Sequence, residues 1–331
     1  MSDLRPPPLS QTPVQAVAMA PFAALWRRLV AFAIDALVLG VVGLLLGLGL
    51  GELFARAGAW GRLVGFVVAG VYFIGFESRL GGATPGKRLL GLRVRGLDGQ
   101  ALELDRAALR YAVFSLPYFL NGAALPALFR FGIGVYLVSL VVFGLGGASL
   151  YLLLFDRPAR RALHDRWSRS VVLRETRAVD ALPFVRRDRV VLAVVVAFSL
   201  LVPAAVQRET SRGMLAHLGA LYSAVSDDPE VRYAGVSDIT QRRYGLQGAP
   251  SQERVVTVSA IVDAGAGEAG ALPERLAALV LQRYEPGASA DFIAIRVLHG
   301  YDIGIASAFE RRDFVYTPAQ WHDRIAFGAE G

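Results

Sequence analysis

The chain has 331 residues, of which 54% are hydrophobic and only 19% charged, and its mean hydropathy is +0.44. A soluble globular surface needs more charge than that, so the composition points to a membrane protein with some soluble mass attached. The absence of cysteine excludes a disulfide framework and any thiolate metal or nucleophile chemistry. The net charge of +7 is unevenly divided: residues 1–207 hold 23 basic and 12 acidic side chains, and residues 208–331 hold 12 and 16. The basic part suits an anionic lipid face and the acidic part a solvated domain. Lys87 is the single lysine. Arginine bias of this kind reads as genomic base composition, so no nucleic-acid partner is expected.

In chain order, the first 25 residues contain Pro6, Pro7, Pro8, Pro13 and Pro21 and read as a disordered cytoplasmic lead. They do not read as a signal peptide, because the leader is too long and no small-x-small site follows a short apolar run. Five apolar runs follow: Leu29 to Gly51, Gly61 to Phe76, Tyr111 to Phe129, Phe131 to Phe155 and Val190 to Gln207. About 20 apolar residues cross a hydrocarbon core as a helix. The third run is the weakest, since it carries Pro117, Asn121 and Pro126.

Charge placement orients them. Arg79, Lys87, Arg88, Arg93, Arg95, Arg106 and Arg110 lie between the second and third runs, and ten arginines from Arg157 to Arg189 lie between the fourth and fifth. The other connections carry only Arg56 and Arg130. Arginine-rich short loops stay cytoplasmic. The N-terminus is therefore expected inside and the tail from Arg208 outside, with the 111–155 stretch either crossing twice or dipping in and returning.

Within the first loop, Gly81-Gly82 and Thr84-Pro85-Gly86 argue against a helix. "LRVRGLDGQALEL" suggests a hairpin turning at Asp98-Gly99, and Asp105 fits an N-cap. Gly, Lys and Thr stand in the wrong order for a phosphate loop, so a basic hairpin on anionic headgroups is the plainer account. In the second loop, Trp167 sits among Arg157, Arg160, Arg161, Arg166 and Arg169, as in a segment lying in the interface. His164-Asp165 lacks a third catalytic partner and reads as structural or ion-pairing.

Three segments in order then carry a family likeness. "WRRLVAFAIDALVLG", "GATPGKRLLGLRVRGLDGQ" and "RRALHDRWSRSVVL" resemble the opening helix, the Thr-x-Gly-Lys segment and the closing His-Asp segment of the RDD family of bacterial membrane proteins, over about residues 21–175. The resemblance makes Arg28 the family's arginine and Asp35 its first aspartate. Asp165 is the best match for the second, with Asp98 and Asp156 nearby. Lys87, Arg88 and His164 would support them. The resemblance implies the bacterial cytoplasmic membrane. It also implies transport of a small solute, with sodium/proton antiport attributed to some family members.

Arg28 and Asp35 share one helix face about 10 Å apart along the axis, too far for a direct pair. A charged residue at the depth of Asp35 costs roughly 2.5–3.5 kcal/mol on insertion scales, so it needs a partner. Lys87, Arg88 and Arg62 are the candidate cations. Two readings of Asp35 stand: a buried pin that fixes helix register, or a group that binds and releases a proton or cation. Gly43-x3-Gly47 and Gly47-x3-Gly51 on the same helix permit close packing, within the bundle or in a homo-oligomer.

From Arg208 an amphipathic helix with Met214, Leu218, Leu221 and Val225 on one stripe leads outward. "ERVVTVSAIVDAG" reads as a strand and "LPERLAALVLQRY" as a helix. "DFIAIRVLHG" and "IGIASAFE" read as two strands separated by Gly300-Tyr301-Asp302. His299, Asp302, His322 and Asp323 have no metal or catalytic spacing and read as solvated.

The expected fold class is mainly α: a polytopic helical membrane bundle of about five spans with a small C-terminal α+β extramembrane domain. The divisions are a lead to residue 25, an RDD-type transmembrane domain over 26–176, a basic linker and last transmembrane helix over 177–207, and the outward domain over 208–331. No enzyme activity, cofactor or metal is expected. The expected partners are a bilayer with an anionic cytoplasmic leaflet, an envelope protein for the tail, and further copies of the chain. Transport by way of Asp35 competes with a non-transporting scaffold or sensor.

Overall fold

A computed structural model describes residues 22–122, 132–156, 159–174, 186–212, 216–243, 251–263 and 272–328. Of the lead expected to residue 25, residues 1–21 lie outside these, as do residues 123–129 of the third apolar run; Ala23 is bonded to Val172 and Leu25 already opens the first helix. Among the described residues, three helical stretches are long and apolar enough to cross a membrane: Leu25–Ser78, Ile133–Phe155 and Asp188–Glu209.

The first stretch is a helical hairpin. Helix α1 (Leu25–Ala57) buries Ala31, Asp35, Leu39, Gly43 and Gly47, a stripe at four-residue spacing. At 33 residues it is about 50 Å long, more than the hydrocarbon core requires. It ends at Gly58, whose φ of +54° a side chain would resist. After a 3₁₀ turn, α2 (Gly61–Ser78) returns alongside, so that Tyr72 comes level with Asp35.

The loop that follows holds a short helix where a break was expected. In α3 (Pro85–Leu89), the Thr84 hydroxyl accepts from Lys87 N–H at 3.4 Å and Pro85 occupies the first turn, two start signals that outweigh the breaker signal. Strand β1 (Arg93–Gly96) does not form the local hairpin expected around Asp98-Gly99. It pairs antiparallel with β2 (Ser170–Leu173), which lies beyond all the helices that come next in the chain up to Trp167. Residues 101–103 instead run straight to α4 (Leu104–Leu120), whose N-cap is Glu103, with Asp105 inside the first turn.

Helix α4 runs from the level of Glu77 to that of Arg62, but its 17 residues are short for a span. The chain returns through α5 (Ile133–Ser139), a π-helical turn (Leu140–Leu145) and α6 (Gly146–Phe155). The short α7 (Leu163–Trp167) and β2 follow. Helix α8 (Arg186–Arg212) runs antiparallel to α5 and α6, as the Tyr151–Asp188 and Ser139–Ser199 hydrogen bonds show.

The tail is richer than the expected β-α-β-β. Helix α9 (Ala216–Ser226), β3 (Val231–Arg243), β4 (Ser251–Val262), α10 (Leu272–Arg283), β5 (Phe292–Asp302), β6 (Ser307–Tyr316) and α11 (Pro318–Gly328) build a four-stranded sheet in the order β3-β4-β5-β6. Only β4 and β5 are parallel, joined across α10. The inward residues Val256, Val258, Ile293 and Ile295 alternate along their strands and pack with Leu276 and Val280 of α10 and with Trp321. Trp321 is fully buried and donates its indole N–H to the Ile293 carbonyl at 2.9 Å. Gly300-Tyr301-Asp302, expected to be a turn, is the end of β5, and the reversal falls at 303–306.

Candidate functional site in the helical domain

Asp35 is 1% exposed, the second residue of the buried α1 stripe. Its Oδ1 accepts from the Tyr72 hydroxyl at 2.7 Å and from Gly86 N–H at 2.9 Å, and its Oδ2 accepts from the Thr84 hydroxyl at 2.5 Å. All three donors are neutral. Among the described residues, no ion pair reaches this carboxylate. The candidate cations are engaged elsewhere: Lys87 with Glu77 at 2.6 Å, Arg62 with Asp302, and Arg88 with the Leu80 carbonyl. The Gly86 backbone can reach Asp35 because it has no side chain, since a Cβ there would run into the Ala31 carbonyl and lie 3.0 Å from Oδ1.

A chain of ion pairs lies beside it. Arg110, from α4, donates through Nη1 to both oxygens of Glu77 at 2.8 Å. Through Nη2 and Nε it reaches Asp165 Oδ1 at 2.9 and 3.2 Å. Arg28 closes the chain on Asp165 Oδ2 at 2.6 Å and also bonds the Arg160 carbonyl. The order is Lys87–Glu77–Arg110–Asp165–Arg28. Glu77 and Asp165 are each 1% exposed or less. Fork-to-carboxylate pairing of this kind is the geometry guanidinium is shaped for.

His164 lies next to this chain without joining it. Its Nε2 is 3.6 Å from Asp165 Oδ1, its Nδ1 has no hydrogen-bond partner, and its ring meets Phe114 edge-on. Burial pushes the imidazole down to about 3, against the pull of Asp165 and helped by Arg110 and Arg28. Burial alone would raise the Asp165 carboxyl, but the adjacent Arg28 and Arg110 guanidiniums hold it well below the usual carboxylate range.

One cavity of about 260 Å³ lies among these groups: Arg28, Asp35, Glu77, Lys87, Arg110 and His164 supply its polar lining, and Phe32, Phe73 and Phe114 are among its apolar walls. With His164 neutral, three cations face three carboxylates. The five-membered chain alone carries one net positive charge, and Asp35 supplies the balancing negative charge through space. No cluster of three or more His, Asp or Glu side chains suited to a metal ion occurs among the described residues.

The structure thus brings Arg28, Asp35, Lys87 and His164 to one cavity and ties Asp165 to it through Arg28 and Arg110, while Arg88 points away to Leu80. Glu77, Arg110, Tyr72, Thr84 and Gly86 complete the site, and sequence reasoning did not assign them to it. Arg110 carried a signal, being an arginine inside a helix that enters an apolar run, but it was counted with the loop charges. In the tail, His299 meets the Val262 carbonyl at 3.2 Å and lies 3.7 Å from Glu52, and Asp302 binds Arg62, so two of the four residues read as solvated make contacts.

Long apolar helices around buried, mutually compensated charge define the integral-membrane class of protein. Residues 22–169 match the model of the RDD family. Among curated proteins and among solved structures, none matches the chain.

Proposed function

We propose that the chain is an integral protein of the bacterial cytoplasmic membrane whose RDD domain moves a small cation or a proton through the cavity at Asp35. The single observation that carries this reading is the Asp35 carboxylate, buried beside a cavity and held by neutral donors alone. The carboxylate and the Tyr72 and Thr84 hydroxyls form a set of hard oxygens suited to an alkali cation. A proton on Asp35 and a monovalent cation bound to it would change the local charge by the same amount. The two would therefore compete for one site, which is the logic of an exchanger.

Five helical passages, with the arginine-rich loops and N-terminus inside and the tail outside, give the topology that this reading requires. Arginines on the inner face would meet anionic lipid. The test is flux in proteoliposomes: Asp35→Asn should abolish cation or proton movement while the protein remains expressed and monodisperse. Unchanged flux would remove Asp35 from the transport path.

A second reading is a sensor or scaffold whose outward domain binds an envelope partner, in single or multiple copies. It is favoured by the direct contact between the tail and α1, where Arg232 donates to the Ala55 and Arg56 carbonyls at 2.9 and 2.8 Å. Copurification of a stable envelope protein with full-length chain lacking any flux would select it.

A further inference from the structure

The end of the β5–β6 hairpin leaves its sheet and enters the helical bundle. Strand β4 accompanies β5 only as far as Leu298, whereas β5 and β6 stay paired to Asp302 and Ser307. The four residues past Leu298 carry the arm about 13 Å beyond the sheet. The arm ends against the small residues of α1 and α2. Tyr301 covers Gly47 and packs edge-on against Phe54, with ring centroids 5.7 Å apart. The fully buried Ile303 lies against Gly65, and Ala306 lies against Gly43. The glycines that resembled a helix-packing motif in the sequence are a seat for this arm.

The seat is in line with the cavity. Gly43 follows Asp35 on the buried stripe of α1, about 12 Å further along the helix. Between them lies an apolar layer that includes Leu39, Ala69, Phe73 and Tyr111, and Ile305 of the tip packs on it. Phe73 and Tyr111 line the cavity from the other side.

The tip itself is seated on apolar contacts, and the rim of the attachment is polar and close to water. Arg62 donates through Nε and Nη2 to Asp302 Oδ2 at 3.0 and 2.6 Å, with the two side chains 21% and 33% exposed. Tyr118 donates to the Gly304 carbonyl at 2.6 Å. Gly300, at a φ of +148°, gives the arm a bending point. The tip's apolar seat is small, and the Arg62–Asp302 ion pair stands at its partly exposed rim.

We propose that the Tyr301–Ala306 tip is a gate closing the tail-side end of the bundle, with Arg62–Asp302 as its latch. The gate rests on the transport reading above, because it controls access to the cavity that reading uses.

The chain contains no cysteine, so Gly43→Cys/Ala306→Cys introduces a unique thiol pair. A Cβ at Gly43 would lie 2.7 Å from that of Ala306, and slight separation brings the pair into the disulfide range of about 3.5–4.5 Å. In proteoliposomes of the full chain, oxidation should form an intramolecular disulfide and lower flux at least about tenfold, and a reductant should restore it. Failure to form the disulfide overturns the docking, and full flux in the locked form overturns the gate.

Independently, Ile305→Cys should react slowly with a membrane-impermeant maleimide added on the tail side. Adding Arg62→Gln should speed that reaction about tenfold, as expected for loss of a charge-assisted pair. Equal rates would overturn the latch. If the unmodified chain carries no flux at all, the transport reading fails, and these labelling rates still decide whether the tip opens.

Discussion

Arg28 and Asp165 stand 137 positions apart in the chain and 2.6 Å apart in space, with the aspartate fully buried. The pairing ties the first helix to α7, the short helix that precedes β2. Removing one partner strands a buried charge, at a cost of about 3–5 kcal/mol. Arg28→Ala and Asp165→Asn should therefore both lower the unfolding midpoint in detergent. Arg28→Lys should not rescue it, because an ammonium cannot hold Asp165 and the Arg160 carbonyl together. An unchanged midpoint in Asp165→Asn would show that the pair does not hold the domain.

Arg110 serves two carboxylates at once, so its loss should exceed that of either acidic partner. Arg110→Ala leaves Glu77 with Lys87 alone and Asp165 with Arg28 alone. Combining it with Glu77→Ala should cost less than the sum of the two single changes, since the pair shares one interaction. A double-mutant cycle on thermal unfolding measures this, and strict additivity would contradict the ion-pair chain.

Acid should weaken the domain in two windows. His164 is held down to about 3, so the unfolded chain takes the proton first, near its ordinary value of about 6.5. Stability therefore falls as pH drops below that value, with a limiting slope of about 1.4 kcal/mol per pH unit. Asp165 is depressed, so its contribution is complete above the unfolded carboxylate value of about 3.9 and is lost only as pH falls below it. His164→Gln should flatten the upper window and leave the lower one. A midpoint that is level from about pH 6.5 to 5 in the unmodified protein would refute the histidine part.

The Gly86 contact makes a steric prediction. Gly86→Ala drives a methyl into the Ala31 carbonyl and towards Asp35, so the loop must lift away from α1. A destabilisation of about 1–3 kcal/mol is expected from such overpacking. Gly75→Ala, where a Cβ meets nothing within 4 Å, is the control. Similar midpoints for the two variants would argue against the close approach.

Asp35 was legible in the sequence because a lone carboxylate in an apolar run violates hydropathy, and local pattern reports such violations. Its partners were not legible. Tyr72, Thr84 and Gly86 reach it only because α2 folds back beside α1, and nothing in a 3.6-residue period says which hydroxyl will arrive at which depth. Glu77 and Arg110 had no local reason to be joined, lying 33 positions apart on different helices. The β1–β2 pairing was missed for the same reason: Asp98-Gly99 advertised a local turn, while the partner strand lay some 70 positions further on. Strand β3 reads VRYAGVSDITQRR, too polar and irregular to stand out, and it forms because β4 offers it a full-length antiparallel edge. The short helix at Pro85 shows the converse, since two adjacent start signals were read as breakers.

The two-stranded β1–β2 sheet has a consequence for how this domain can be handled. Phe22 bridges Leu173, and Ala23 N–H donates to the Val172 carbonyl at 3.1 Å, so the start of the RDD match and the strand just beyond its end lie side by side. A module whose two ends meet can be spliced into another chain, or reopened elsewhere and joined across the old ends, without stretching its interior. A segment to be transplanted would also have to carry α8, which packs along α5 and α6.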